Sequence, residues 1–263
     1  MRLSEKIERY LSDQQISTRS TEQVYALLAQ ELGDRYVEAV KRLLVQRTNE
    51  SISTDAFYDI VARLNIQKVP LYDIFASRAR KAIIWNLEKI CAEISITNGS
   101  ILDAGCGTGL TSCFLGMTYS EANIEGIDIS EGMTEAAKKR ADSLKLTNVK
   151  FFKQNYQEHR GRQYDLIACV HTLDESCNTQ TDESLRIYHL QNLLTEGGKL
   201  VLIRAGMHKK EGFDYEGETC NLGHIRESFL LGIPPEIIFQ FNDADGEGMQ
   251  QGLTVWGKEK DKN

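Results

Sequence analysis

The stretch ILDAGCGTG, residues 101–109, decides the fold, because an apolar run leads directly into a glycine-rich turn. Glycines at positions 105, 107 and 109 let the backbone turn sharply and approach a ligand without a Cβ in the way. Leu110 begins a segment of helical character, and the first turn of a helix presents free N–H groups. The spacing predicts a strand, a ligand-binding loop and a helix, in that order.

Outward from this stretch, the second part of the chain alternates short apolar runs with amphipathic segments of helix length. The apolar runs are SILDAG, NIEGID, NVKFFKQ, YDLIACV and KLVLIR. Such runs are typical of strands buried on both faces, and their alternation with helices predicts a parallel sheet with right-handed crossovers. Two later runs, PEIIFQFND and MQQGLTVWGK, flank the turn-forming ADGEG and predict an antiparallel hairpin. The predicted fold class is α/β, a doubly wound, mostly parallel sheet with an antiparallel C-terminal hairpin.

The spacing of apolar residues is different in the first part of the chain. The segments EQVYALLAQEL, RYVEAVKRLLVQ and DAFYDIVARLN place apolar residues three and four apart, and no strand pattern interrupts them. Pro70 is expected to separate a helical bundle from a last long helix, SRARKAIIWNLEKICAE. We therefore predict a helical N-terminal region over residues 1–95 and a ligand-binding domain over residues 96–263. The pattern leaves open whether the helical region caps the core, covers a substrate or forms a homodimer.

Composition narrows the function classes. The 263 residues carry a formal net charge of −7, which argues against a nucleic-acid surface built on bulk positive charge. The N-terminus lacks the apolar core of a signal peptide, and no run reaches the roughly 20 apolar residues of a membrane span. Six cysteines without a C-x-x-C pair are interpreted as reduced and structural, and five scattered histidines indicate no metal site. We expect a cytoplasmic protein without nucleic-acid or membrane partners.

The glycine loop favours a cationic ligand. A dinucleotide loop has the spacing G-x-G-x-x-G, whereas this loop has G-x-G-x-G with Asp103 two residues before its first glycine. Asp103 would repel a pyrophosphate and attract an ammonium or a sulfonium. Asp128 closes the second strand, where a carboxylate accepts hydrogen bonds from both hydroxyls of a ribose. These two positions predict a cofactor with a cationic amino-acid end and a ribose.

These motifs resemble those of the class I S-adenosylmethionine-dependent methyltransferases over residues 100–258. The resemblance depends on LDAGCGTG and GIDIS, in the correct order and spacing, and is supported by NYQEH, YDLIACVHTLDE and LLTEGGKLVLI. It implies a Rossmann-like sheet of seven strands with the last hairpin reversed, and S-adenosyl-L-methionine as the cofactor. It also implies cofactor-binding roles for Asp103, Gly105, Cys106, Gly107, Gly109, Asp128, Ile129, Met133, Asn155, Tyr156 and Val170.

Within this set the resemblance implies a division of roles. Asp103 and the loop backbone would hold the methionine end, and Asp128 would hold the ribose. Ile129 and Met133 would flank the adenine. Asn155 stands where the family often has Asp, and its amide oxygen still accepts a hydrogen bond from the adenine amino group. Tyr156 would lie beside that group.

The candidate catalytic residues follow the fourth strand of the sheet. His171 lies at its carboxyl end, and it is interpreted either as a base or substrate-binding group or as a residue that packs near the methionine end. Asp174 and Glu175 come next in the loop TLDESCNTQTDE. They would attract a cationic amine acceptor if the loop covers the cleft, and otherwise belong to an ordinary solvated loop.

Two further segments are candidates for the acceptor pocket. Tyr72 and Arg80 precede the ligand-binding domain, where related enzymes often carry a helix over the cofactor. The alternative is an aromatic residue within the bundle and an exposed basic residue. Tyr215 lies in MHKKEGFDYEGETCNLGH, which is long and polar enough to act as a lid.

The sequence as a whole predicts methyl transfer from S-adenosyl-L-methionine to O or N of a small molecule, natural products included. One alternative is a protein or peptide acceptor that docks on the helical region. Another is an inactive cofactor-binding module that mediates assembly. The glycine spacing disfavours a nicotinamide dehydrogenase.

Overall fold

The computed structural model describes residues 5, 9, 21–173, 180–204, 237–241 and 251–257. Asp174, Glu175 and Tyr215 therefore lie outside the described residues. The helices are α1 Thr21–Leu32, α2 Asp34–Thr48, α3 Thr54–Arg63, α4 Leu71–Phe75, α5 Ser77–Cys91, α6 Leu110–Thr118, α7 Glu131–Ser143 and α8 Gln180–Asn192. The strands are β1 Asn65–Ile66, β2 Val69–Pro70, β3 Ser100–Ala104, β4 Asn123–Asp128, β5 Val149–Lys153, β6 Tyr164–Val170, β7 Leu194–Arg204, β8 Ile237–Phe241 and β9 Gln251–Gly257.

The main sheet has the order β5-β4-β3-β6-β7-β9-β8. Strands β5, β4, β3, β6 and β7 are parallel, whereas β9 runs antiparallel to both β7 and β8. The predicted α/β class, five parallel strands with an antiparallel pair, is confirmed. Because the chain leaves β3 toward β4 and later returns to its other side as β6, the strand order reverses at the carboxyl end of β3. Ligands bind at such switch points in open α/β sheets.

The central strands β3 and β6 are apolar on both faces because helices cover both, whereas the edge strand β5 alternates buried and exposed residues. One face packs against α5, α6, α7 and the N-terminal region, with Ile101, Ile124 and Leu166 contributed by the sheet. The other face packs against α8, whose Ile187 and Leu190 are buried. This two-sided burial explains the continuous apolar runs of the sequence.

The N-terminal region is mostly helical, but the expectation that no strand interrupts it is wrong. Strands β1 and β2 form a two-stranded antiparallel sheet between α3 and α4. Each has only two residues, which is too short for an alternating pattern to reveal it. Pro70 ends β2 directly before α4, and the expected last helix is α5. Among the described residues, none of the helices combines the length and apolar character needed to cross a bilayer.

Candidate functional site

The glycine loop, residues 105–109, joins β3 to α6 and is packed tightly on one side. Gly105 has a φ of 79°, and a Cβ built on it would lie 2.1 Å from the Thr172 hydroxyl oxygen. Thr172 donates a 3.0 Å hydrogen bond to the carbonyl of Ala104. The end of β6 therefore lies against the loop, and only glycine fits at position 105. Gly107 is more open, because a Cβ built on it would first meet the Tyr72 ring, at 3.7 Å.

Most N–H groups of this loop donate within the protein. The amides of Gly105 and Cys106 donate to the carbonyl of Ile127 at 2.8 and 3.0 Å. The amide of Gly107 donates to Asp128 Oδ2 at 2.9 Å, and that of Gly109 donates to the carbonyl of Cys106. A pyrophosphate site needs such N–H groups for its ligand. Their internal use favours a ligand that brings its own donors or positive charge.

Asp103, at the end of β3, is buried and only partly satisfied. Its Oδ2 accepts a 2.5 Å hydrogen bond from the Ser112 hydroxyl. Its Oδ1 has no hydrogen-bond partner within the part of the chain that the structure describes. Burial raises the pKa of Asp103 to about 7, against the hydrogen bonds from Ser112 and with the help of the nearby Asp128 charge. A cation at Oδ1 would stabilise the ionised carboxylate.

Asp128 ends β4 and connects the glycine loop to the start of α7. Its Oδ1 accepts from the amide of Ser130 and its Oδ2 from the amide of Gly107, both at 2.9 Å. Burial raises the pKa of Asp128 despite these two hydrogen bonds. Each carboxylate oxygen has a second lone pair, so Asp128 still has capacity to accept from hydroxyl groups of a ligand.

A second carboxylate, Asp59 of α3, contacts the same segment from the N-terminal region. Asp59 Oδ1 accepts from the Ser130 hydroxyl at 2.5 Å and from the Gly132 amide at 2.8 Å. The Ser130 oxygen in turn accepts from the amide of Met133 and caps α7. Asp59 could not be predicted from the sequence, because nothing in its local sequence indicates a contact 71 residues away.

A buried charge cluster ties the N-terminal region to the glycine loop itself. It consists of Asp73, Arg80, Thr108 and Arg140, each at most 6% exposed. Arg80 and Thr108 donate to Asp73 Oδ1, and Arg140 donates to Oδ2 at 2.5 Å. The alternative that made Arg80 an exposed basic residue is therefore wrong. Two guanidinium groups share one carboxylate, so the cluster carries a net positive charge beside the loop.

Tyr72, in α4, lies next to the glycine loop. Besides approaching Gly107, its ring lies under the Arg80 guanidinium at 5.6 Å and meets Tyr58 edge-on at 5.9 Å. The side chain packs in the helical region and approaches the glycine loop, and its role toward an acceptor stays a prediction. Helices α3, α4 and α5 form a cover on this side of the site.

The other predicted cofactor residues differ in exposure. Ile129 and Val170 are half-buried, whereas Met133 is 1% exposed and packs with Phe57 and Val61 of α3. The half-buried Asn155 caps a short 3-10 helix, and its side-chain oxygen accepts from the amide of Gln157 at 3.0 Å.

Tyr156 follows Asn155, and its side chain belongs to the core on the α8 face. It is 4% exposed, and its hydroxyl accepts from Arg186 at 3.2 Å. Its backbone, rather than its ring, is the part that stays close to Asn155 at the edge of the site.

His171 follows β6 directly, in a left-handed conformation with a φ of 57°. It is half-buried, and its amide donates to the carbonyl of Ile203 on β7 at 2.8 Å. A non-glycine residue in this conformation is uncommon and costs roughly 1–2 kcal/mol. The structure thus holds His171 at the carboxyl edge of the sheet, directly after the strand next to β3. In the described ranges, no group of three or more His, Cys, Asp or Glu side chains is placed to share a metal ion.

This geometry agrees with a comparison against known families. A family model described as a methyltransferase domain matches residues 97–231, just over half of the chain. The chain belongs to the Rossmann-like, S-adenosylmethionine-dependent methyltransferases. The matched residues contain the glycine loop, Asp128, Asn155 and His171, which lie at the site described above.

The individual relatives of this chain are distant. The malonyl-[acyl-carrier protein] O-methyltransferase 1 of Ilyobacter polytropus is 28% identical over 164 residues, which are 61% of this chain and 53% of that protein. The chain spans 25%, 53% and 30% of the first three curated relatives that it matches. Its activity and acceptor are therefore matters for proposal.

Solved structures show the fold. Magnesium protoporphyrin IX methyltransferase from Synechocystis PCC 6803 with bound SAH has a TM-score of 0.55 at 18% identity, over 69% of this chain and 83% of that one. The [4+2]-cyclase SpnF has a TM-score of 0.54 at 15% identity, over 68% of this chain and 82% of that one. Because a protein named as a cyclase shares the architecture, the fold alone does not determine the reaction.

Proposed function

We propose that this methyltransferase transfers the methyl group of S-adenosyl-L-methionine to O or N of a small-molecule acceptor. The observation that carries the proposal is the buried Asp103 carboxylate, whose Oδ1 has no partner among the described residues. It lies before a loop whose N–H groups are used internally. A cationic amino-acid end supplies the missing partner, whereas a pyrophosphate would meet a carboxylate and few donors.

The residues present fit the cofactor along its length. Asp103 and the loop carbonyls face its ammonium and sulfonium end. The cluster around Asp73 carries a net positive charge, which favours the carboxylate of the cofactor's methionine end near Thr108. Asp128 accepts from the ribose hydroxyls.

The adenine end is assigned to the residues after Asp128 and after β5. Ile129 flanks the adenine, whereas the Met133 side chain is 1% exposed and packs against α3, and Val170 lies beyond β3 at the end of β6. Asn155 accepts from the amino group of the base through its second lone pair. Tyr156 contributes its backbone, since its ring is buried in the core.

The chemistry asked of the chain is mainly positioning. The cofactor supplies a methyl group on a sulfonium, whose sulfur leaves as a neutral thioether when the S–methyl bond breaks. Holding an acceptor in line with the S–methyl bond lowers the barrier by roughly 7 to 11 kcal/mol. His171, held at the carboxyl edge of the sheet, accepts the proton of a hydroxyl or amine acceptor.

The small-molecule class of the acceptor is supported by the names of similar proteins. One is named as an O-methyltransferase of malonyl-[acyl-carrier protein], a malonyl group that a carrier protein holds, and a structural neighbour is named for a porphyrin. Asp174, Glu175 and Tyr215 are proposed for the acceptor side, together with the Tyr72 and Arg80 segment. A cytoplasmic location and a homodimer remain predictions from the sequence.

Titration calorimetry of the full chain with S-adenosylmethionine and S-adenosylhomocysteine tests the first step. We expect both ligands to bind, and weaker binding for Asp103→Asn and Asp128→Asn. If the correctly folded protein gives no heat of binding with either ligand, the proposal that it uses S-adenosyl-L-methionine is overturned.

Turnover distinguishes the remaining alternatives. Methylation of a purified protein together with failure on every small acceptor would favour the docking alternative, and cofactor binding without any turnover would favour the inactive module. His171→Ala should reduce turnover much more than cofactor affinity. Unchanged turnover in that variant removes His171 as the base.

A further inference from the structure

We propose that Asp59 of the N-terminal region is a positioning residue for the cofactor: it holds the segment from Asp128 to Gly132, and thereby the carboxylate that binds the ribose. This inference rests on the proposed function. It makes helix α3 a component of the cofactor site rather than a separate cover over the acceptor.

A continuous chain of hydrogen bonds links Asp59 to Asp128. Asp59 Oδ1 accepts from the Ser130 hydroxyl at 2.5 Å. The amide of the same serine donates to Asp128 Oδ1 at 2.9 Å, and Asp128 Oδ2 accepts from Gly107. One fully buried residue, Ser130, therefore lies between the two carboxylates. A shift of Ser130 would move the Asp128 carboxylate relative to the glycine loop.

The contact with Asp59 fixes the direction of the Ser130 hydroxyl. Its hydrogen is donated to Asp59, so its oxygen is left to accept from the Met133 amide at 3.1 Å as the cap of α7. Burial acts to raise the pKa of Asp59, but the hydrogen bonds from Ser130 and Gly132 and the charge of Arg63 outweigh it and lower the pKa. Asp59 is thus an ionised acceptor at neutral pH, which strengthens both bonds.

Helix α3 packs closely on the start of α7. A Cβ built on Gly132 would lie 3.0 Å from the Asp59 carbonyl oxygen and 3.2 Å from its Cα. Met133 is buried beside this contact against Phe57 and Val61. The backbones therefore touch, and Asp59 has little freedom to turn away from Ser130.

The test compares two ligands that differ only at the ribose. The wild-type full chain should bind S-adenosylhomocysteine more tightly than its 2′,3′-dideoxyribose analogue, because Asp128 accepts from the hydroxyls. In Asp59→Asn, which keeps the size of the side chain but loses its charge, the dissociation constant for S-adenosylhomocysteine should rise about tenfold. The ratio of the two dissociation constants should fall toward one, since the analogue makes no bond to Asp128.

This ratio separates positioning from mere stability, because a general loosening of the fold weakens both ligands alike and leaves the ratio unchanged. Asp55→Asn is the matched control: it makes the same chemical change one turn earlier on α3, where the carboxylate interacts with Ser53. It should keep the wild-type affinity and ratio.

If Asp59→Asn does not fold, Ser130→Ala removes the bridging hydroxyl and should produce the same fall in the ratio. A wild-type ratio retained in the folded variant overturns the inference while the proposed function stands. Failure of the wild-type chain to bind S-adenosylhomocysteine overturns the proposed function itself.

Discussion

The glycine loop and the N-terminal helical region meet at one site but are held there by different forces. The loop depends on backbone conformation and close contact, as the fit of Gly105 against Thr172 shows. The helical region depends on charge, because Asp59 and Asp73 project into the methyltransferase domain and accept hydrogen bonds from its residues. A short motif therefore supplies the groups that suit the cofactor, while carboxylates remote in sequence hold the motif in place.

The largest loss of stability is expected at the buried charge cluster of Asp73, Arg80, Thr108 and Arg140. Asp73→Ala leaves the guanidinium groups of Arg80 and Arg140 buried without their shared carboxylate. We expect the free energy of unfolding to fall by about 3 to 5 kcal/mol, as measured by urea denaturation. Cofactor affinity should fall as well, because Thr108 of the loop loses its acceptor.

An exposed ion pair in the same region supplies the control. Arg63 lies 3.8 Å from Glu131, and both side chains are 55% exposed. Arg63→Gln should change the free energy of unfolding by less than about 1 kcal/mol. A loss of similar size in both variants would contradict the view that burial gives the Asp73 cluster its importance.

A pair of glycine substitutions tests how much the glycine loop depends on close contact. Gly105 and Gly161 have nearly the same φ, 79° and 78°, but nothing lies within 4 Å of a Cβ built on Gly161. Gly161→Ala should therefore cost only the roughly 1–2 kcal/mol of a left-handed alanine. Gly105→Ala adds overlap with Thr172, for a total of roughly 3 kcal/mol and a loss of cofactor binding. The two unfolding energies would coincide if the contact with Thr172 were unimportant, and Thr172→Ala should rescue part of the loss.

The smallest expected effect is a pH dependence of cofactor affinity. Asp103 has a pKa of about 7 in the free protein, and a bound cation favours its ionised form. Affinity should therefore rise with pH through about 7, by about tenfold between pH 6 and pH 8. Calorimetric titrations of wild type and Asp103→Asn measure this, and the difference between the profiles removes the titration of the ligand's own amino group. Parallel profiles would show that Asp103 does not contact the cation.

Much of the fold could be predicted from the sequence, because strands buried on both faces and amphipathic helices leave periodic patterns. The strand from Ser100 to Ala104, the glycine loop and the following helix are contiguous, so one short stretch predicted all three. The sheet formed by β1 and β2 was missed, since two-residue strands carry no period. Arg80 was assigned to an exposed surface in one interpretation because its partner Asp73 cannot be identified from hydropathy alone.

Local sequence patterns were enough to predict the α/β class, the position of the loop and the two carboxylates, Asp103 and Asp128, that suit a cationic, ribose-bearing cofactor. These features depend on neighbours a few residues apart, where geometry follows directly from the chain. The positions of Asp59 and Asp73 at the site became visible in the folded structure alone. Their hydrogen-bond partners Ser130 and Thr108 lie 71 and 35 residues away, and such contacts are set by how the helices pack on the sheet rather than by local spacing.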